Sequence, residues 1–433
     1  IQQYTNGFSD LQASLQNQSW ESLEQASGVS RQEMLAFAEQ IRDAKKAVFV
    51  WSMGITQHEC GEDNVKAIIN LALTKGFVGR AGCGLMPIRG HSGVQGGAEM
   101  GCYSTALPGG KPITPETVDT LSQQWGFPVP SQPGLIAPEM IDAAHAGNLD
   151  VLLSVGGNFL DVMPDPAYVE TALSRIPLRV HWDIICSQQM LVEPADTVVL
   201  LPATTRYEIP GGVTETSTER RVIFSPEIPG PRIGEARPEW QVFMDLAQRV
   251  VSPDYQAALQ FADIAAIRAE IAQVVPFYAG IQHLQEAGDQ FQYGGNHLCF
   301  GWQFDTPDRK AHFSALHPSD RPLPEGHFWV TTRRGKQFNS MVQEHKDAIT
   351  GAWREAILMN PIDIAAWNLQ PGDRIRLSND CGSYVGNVYP AQVKPRNLQI
   401  HWPEGNSLLD RSKRSPIGGV PDYNAIVHLE KFN

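Results

Sequence analysis

The chain has 433 residues, 42% hydrophobic and 19% charged, an ordinary balance for globular cores and, on length, about two to four domains. A net charge of −13 excludes general nucleic-acid binding, which needs a basic face, but leaves room for a local basic pocket. The longest apolar runs, "DVLLSV" (150–155) and "TVVLLP" (197–202), are too short to span a bilayer.

Six cysteines (Cys60, Cys83, Cys102, Cys186, Cys299, Cys381) are scattered without a CxxC pair. That spacing is neither a disulfide framework nor a zinc or iron–sulfur site, and it points to a reduced, cytoplasmic setting. The opening residues do not read as a signal peptide, and the chain begins at Ile1 rather than Met, so the expectation is that its beginning is missing.

In chain order, "GVSRQEMLAFAEQIRDAKK" (28–46) reads as a helix, with Ser30 and Glu33 at capping-box spacing. A strand "AVFVW" (47–51), the turn "SMGITQHECGED" and a helix "NVKAIINLALTKG" (64–76) then form one α/β unit. The stretch "GLMPIRGHSGVQGGAEMG" (84–101) has no hydrophobic period, and neither a core strand nor a core helix is expected there. The α/β rhythm returns as "DVLLSVGGN" (150–158), "DPAYVETALSRI" (165–176), "LRVHWD" (178–183) and "DTVVLLP" (196–202). Short apolar strands alternating with helices imply a parallel sheet, whose ligands bind at the carboxyl ends of the strands, where Gly156, Asn158 and Asp183 lie. Long irregular stretches at 205–240 and 277–325 point to functional loops. From about 320, "HFWVTTR" (327–333), "DRIRLSND" (373–380), "SYVGNVYP" (383–390) and "NLQIHW" (397–402) read as strands of a small β-barrel.

Each chemical candidate has a plain alternative. A glycine-rich loop around Arg89 and His91 lets backbone N–H groups and a guanidinium approach an anion or a flat polar ring, or it is a surface loop with an incidental arginine. Gly54, Gln57 and His58 could serve a ligand, or Gly54 could simply be needed by a βα turn. Asp183 could accept from guanine or ribose, or cap the next helix; "VGGN" does not make the GxGxxG fingerprint. In "GGVTETSTERR" (211–221), Arg220 and Arg221 could meet phosphate or form a solvated pair. The strongest electrostatic sign in this acidic chain is "RRGKQFNSM" (333–341), with Arg333, Arg334 and Lys336 beside Gln337 and Asn339, which suggests a bound anion. No Ser–His–Asp set, HExxH, P-loop or metal-ligand cluster is present. Ring- and anion-binding loops without a nucleophile point to a large, polar, phosphorylated cofactor.

These pieces in this order resemble the large-subunit family of molybdopterin oxidoreductases, in its formate-dehydrogenase-like alpha-subunit branch. Residues 48–101 carry the likeness most sharply, followed by "VGGNFLD" (155–161), "HWDII" (181–185), "PADTVVLLPATT" (194–205), "FDTPDRKAHF" (304–313) and "VPDYNAIVHLEK" (420–431). The resemblance implies an α/β fold with parallel-sheet, Rossmann-like domains followed by a β-barrel cap. Its domains would be part of a first α/β domain (1–92), a second (93–315) that binds molybdopterin guanine dinucleotide, and the cap (320–433). It implies molybdenum or tungsten on two molybdopterin guanine dinucleotides. Arg89 would face a small anionic substrate such as formate, and His91, Gly93 and Gln95 would line the cofactor with Gly54 and Gln57. Gly156, Asn158, Asp183, Arg220 and Glu239 would meet a guanine dinucleotide, and Arg333, Gln337, Asn339, Asn406 and Tyr423 would be contacts of the cap. Family members are considerably longer. The metal ligand, and a 4Fe-4S cluster where there is one, are therefore expected in a missing N-terminal half, and an electron-transfer partner fits the same picture. Two other classes compete: a non-catalytic pterin or nucleotide scaffold, and an ordinary nucleotide-binding α/β enzyme, which the missing Rossmann fingerprint disfavours.

Overall fold

The computed structural model describes residues 3–90, 93–318, 321–334 and 344–432. Helix α1 (Arg31–Asp43) starts at a capping box. The Ser30 hydroxyl accepts from the Glu33 amide at 3.3 Å, and the Glu33 carboxylate accepts from the Ser30 amide at 2.9 Å. Strand β1 (Val48–Trp51) leads into α2 (Gly61–Thr74), and β1 pairs in parallel with β2 (Gly84–Pro87), Val48 opposite Gly84. The glycine-rich stretch thus supplies a strand, and it also supplies a short helix, α3 (Val94–Glu99). Neither contains a fully buried residue, so both are held by backbone pairing and packing that leave no hydrophobic period.

The second parallel sheet, in the order β3 (Val151–Val155), β4 (Leu178–Asp183), β5 (Thr197–Pro202), matches the alternating pattern. Helices α4 (Ala137–His145) and α5 (Pro166–Ser174) pack on one face, around Ile141, Ala144, Leu152, Val169 and Leu173. The opposite face is open: Val151, Leu153 and Val155 are exposed, as are Val48 and Val50 on β1. Parallel sheets are ordinarily covered on both faces.

The interval 93–315 holds a second core beside this one. Strands β6 (Val213–Thr216), β7 (Arg221–Ser225) and β8 (Gln290–Gln292) form an antiparallel sheet with β7 central. Val222, Phe224, Val274, Tyr278 and Ile281 pack beneath it. Residues at the end of the interval leave it altogether. Ala311 and His312 pair with Thr5 and Asn6, and Phe304 and Phe313 pack with Leu11, Leu73 and Val78 of the first unit. Pairing of the chain's start with residues 311–312 overrides sequence adjacency here.

The C-terminal region is a closed six-stranded barrel. Its strands are β9 (His327–Arg333), β10 (Ala356–Met359), β11 (Arg374–Asn379), β12 (Gly382–Pro390), β13 (Asn397–His401) and β14 (Asn424–Lys431). Around the barrel they run β9–β13–β10–β12–β11–β14. Alternate residues point inward: Phe328 and Val330 on β9, and Ala425, Val427 and Leu429 on β14, join one core with Ile375, Leu377 and Ile400. The architecture is therefore α/β with parallel sheets followed by a C-terminal barrel. Among the described residues no helix is long and apolar enough to cross a membrane.

Candidate functional site

Arg89 lies just past the end of β2 and is exposed. Its backbone N–H donates to the Thr218 hydroxyl at 3.1 Å, and its Nε–H donates to the Gln95 side-chain oxygen at 2.8 Å. The Gln95 amide donates onward to Glu99 at 2.5 Å. Gln95 and Glu99 are one turn apart on α3, a spacing that places both on one face. The Glu99 carboxylate also accepts from the phenols of Tyr278, at 2.5 Å, and Tyr293. Burial, and then the bond to Glu99, push both phenols well above the usual tyrosine range, so they remain donors. Gly96 is required by a close approach: a Cβ there would lie 2.9 Å from the Thr216 hydroxyl, which itself meets the Tyr278 phenol at 2.6 Å. Arg220 sits beside this group with its guanidinium spent on the carbonyls of Tyr293 and Gly295, so it clamps a loop. Gly93 caps the start of α3, and His91 lies outside the described residues.

A second group forms at the carboxyl edge of β3–β4–β5. The Gly156 amide donates to the Trp182 carbonyl at 2.8 Å, which brings the Gly156–Asn158 loop beside Asp183. Asn158 caps the next helical turn by accepting from the Asp161 amide at 3.3 Å. Asp183 accepts from the following amide, that of Ile184, at 2.7 Å. Glu239 opens helix α6 (Glu239–Val250), two residues after Arg237, whose backbone bridges to Ala203 past the end of β5. Sequence reasoning missed Gln189. It is wholly buried and ties this loop down, donating to the Gly157 carbonyl at 2.9 Å and accepting from the Phe159 amide at 2.8 Å. No local motif marks it, because its partners lie about thirty residues upstream.

A third group joins the barrel to the rest. The Arg334 guanidinium donates to the Gln57 side-chain oxygen at 2.5 Å and stacks 4.4 Å from the Trp402 ring centre and 5.1 Å from that of Tyr423. Arg334 has no carboxylate partner among the described residues, whereas Arg333 is balanced by the buried Asp347 at 3.0 Å. Asn406 and Tyr423 are spent on the second sheet's loop. Asn406 donates to the Asp161 carbonyl at 2.8 Å, and the Tyr423 phenol donates to the Val162 carbonyl at 3.0 Å. Gln337 and Asn339 lie outside the described residues.

Three observations fit a large polar cofactor. Gly54 has no positive φ, and a Cβ there would meet nothing within 4 Å, so the chain itself does not require glycine at that point. Gly156 and Gly157 have positive φ and open space where their side chains would be. Near the strand edge, the Trp182 and Trp240 ring N–H groups and the Thr204 hydroxyl are buried without a hydrogen-bond partner among the described residues. No group of three or more His, Cys, Asp or Glu among the described residues could hold a metal ion.

The chain matches the molybdopterin oxidoreductase family over residues 28–249, just over half its length, and the molybdopterin dinucleotide-binding domain over 328–427. Protein YdeP of Escherichia coli (strain K12) is 28% identical over the whole chain, and the chain spans 59% of that relative's length. "Putative formate dehydrogenase YrhE" of Bacillus subtilis (strain 168) is 31% identical over 72% of the chain and 32% of its own length. Among solved structures, acetylene hydratase from Pelobacter acetylenicus shares the fold with a TM-score of 0.66 at 13% identity, covering all of this chain and 67% of that one. The glycine-rich loop, the open strand edge and the barrel are therefore those of a member of the molybdopterin oxidoreductase family, and this chain belongs to it.

Proposed function

We propose that the chain is the cofactor-holding part of a molybdenum- or tungsten-dependent oxidoreductase that acts on formate or a similar small anion. The observation that carries the reading is Arg89. Its Nε is held by Gln95, while its two terminal nitrogens have no partner among the described residues and lie at an exposed site. A guanidinium oriented but not neutralised suits a carboxylate, which it can hold through two parallel N–H donors. A metal bound through two pterin dithiolenes would supply the redox chemistry. The chain's own work is to bind the nucleotide at Gly156, Asn158, Asp183 and Glu239, and to hold the substrate's charge at Arg89. His91, Gln337 and Asn339 belong to the same proposal, as does a metal ligand outside this chain.

The test uses the full-length protein from a host that makes the cofactor. Molybdenum, tungsten and pterin are measured on one sample, and formate oxidation is followed with an artificial electron acceptor. Near-stoichiometric metal, about twice as much pterin, and a loss of about 10²–10³ in kcat/KM for Arg89→Ala support the reading. Absence of metal and pterin would favour a scaffold instead. Far more efficient turnover of another substrate would end the formate assignment.

A further inference from the structure

We infer that Glu99 is a positioning residue for Arg89, fixing which end of the Gln95 amide faces the guanidinium. This rests on reading Arg89 as the group that holds the anion.

Gln95 can present either its oxygen or its NH2 group to Arg89, and only the oxygen is compatible with an Nε–H donor. A carboxylate accepts and does not donate, so Glu99 on the far side of Gln95 demands the NH2 end. The oxygen is thereby turned to Arg89, at 2.8 Å. Glu99 has no cationic partner within 4 Å among the described residues; its acceptors are filled by Gln95, Tyr278 and Tyr293, all neutral donors. A carboxylate held this way is not serving as half of an ion pair. Its anchor is also rigid. Tyr278 is buried in the core beneath β6–β7–β8, and its ring stacks on that of Tyr293 with centroids 5.2 Å apart. The loop that carries Arg89 is thus referred to a packed core through two side chains, which is how an exposed charged group can be held in one direction.

The experiment uses the full-length enzyme and the variants E99Q and Q95E/E99Q. Hydrogen exchange of the Arg89 Nε–H is read by nitrogen-15 NMR, with the signal assigned by its loss in R89K. In E99Q the side chain at 99 can donate as well as accept, so Gln95 is no longer obliged to keep its NH2 end turned away from Arg89. Exchange should accelerate about tenfold, matching the loss of one hydrogen bond of about 1.4 kcal/mol, and the KM for formate should rise by a similar factor. In Q95E/E99Q the new carboxylate accepts directly from Arg89 and from the side-chain amide that replaces Glu99, so slow exchange should return. Unchanged exchange in a folded E99Q overturns the inference, as does a fall in thermal stability with exchange unaltered. Should E99Q not fold, Glu99→Asp keeps a carboxylate but withdraws it from the Gln95 NH2, and unaltered exchange there overturns the inference equally. If exchange responds as expected but R89K leaves formate kinetics untouched, the positioning role stands and the formate reading falls.

Discussion

Gln189 and Gly157 are joined by a hydrogen bond of 2.9 Å from the glutamine amide to the glycine carbonyl, and this bond holds the loop that leaves the second parallel sheet. The same amide reaches the Ser154 hydroxyl at 3.3 Å, while its oxygen takes the Phe159 N–H. Gln189→Ala would strand that buried N–H. A loss of about 2 kcal/mol is expected, measured by denaturant unfolding, with faster amide exchange confined to residues 156–159.

Asn406 is 0% exposed, and its amide bridges the barrel to the carbonyls of Asp161, at 2.8 Å, and Met163, at 3.2 Å. Asn406→Leu keeps the approximate volume and removes both donors. It should cost about 2–3 kcal/mol and raise the rate of proteolysis between the second sheet and the barrel, read by limited digestion. Unchanged digestion would mean that other contacts hold the junction.

Gly96→Ala tests the close approach of α3 to β6. The added methyl would meet the Thr216 hydroxyl at 2.9 Å and its Cβ at 3.2 Å, with no room to retreat because Thr216 is buried. An overpacking cost of about 1–3 kcal/mol is expected by thermal melting, with Glu99 displaced from Tyr278 in a crystal structure of the variant.

Alkaline pH should reveal the buried phenols. Tyr278, Tyr293 and Tyr384 are all pushed well above their ordinary value, first by burial. A raised folded-state value contributes stability that is fully present below the unfolded value near 10 and is lost as the pH climbs above it. Unfolding free energy should therefore fall steeply above pH 10, and ultraviolet titration should show these phenols ionising only as the protein unfolds. Tyr278→Phe should flatten that fall.

Acid pH acts through His181. It is buried with both ring nitrogens unpartnered among the described residues; burial, then the neighbouring Arg179, lowers its proton affinity below the ordinary 6.5. A depressed value means stability present above 6.5 and lost as the pH falls below it, because only the unfolded chain then takes up the proton. Comparing urea melts at pH 7 and pH 5 should show a smaller drop for His181→Leu than for the natural chain. Equal drops would place the acid sensitivity elsewhere.

Much of the scaffold was legible in the sequence. Period and punctuation alone place β4 at 178–183 and β9 at 327–333, because alternating or continuous apolar runs of that length have few other ways to be buried. The Ser30–Glu33 capping box and the Gly156 loop follow from local chemistry that the backbone satisfies within a few residues. The tertiary structure decided what depends on distant partners. Glu99 meets Tyr278 and Tyr293 across 179 and 194 residues, and Asn406 meets Asp161 across 245. Arg333 and Arg334 are neighbours of the same charge, yet one is neutralised by Asp347 and the other lies on Trp402. No spacing rule separates that pair, since hydrogen-bond and charge partners are set by which surfaces fold together rather than by distance along the chain.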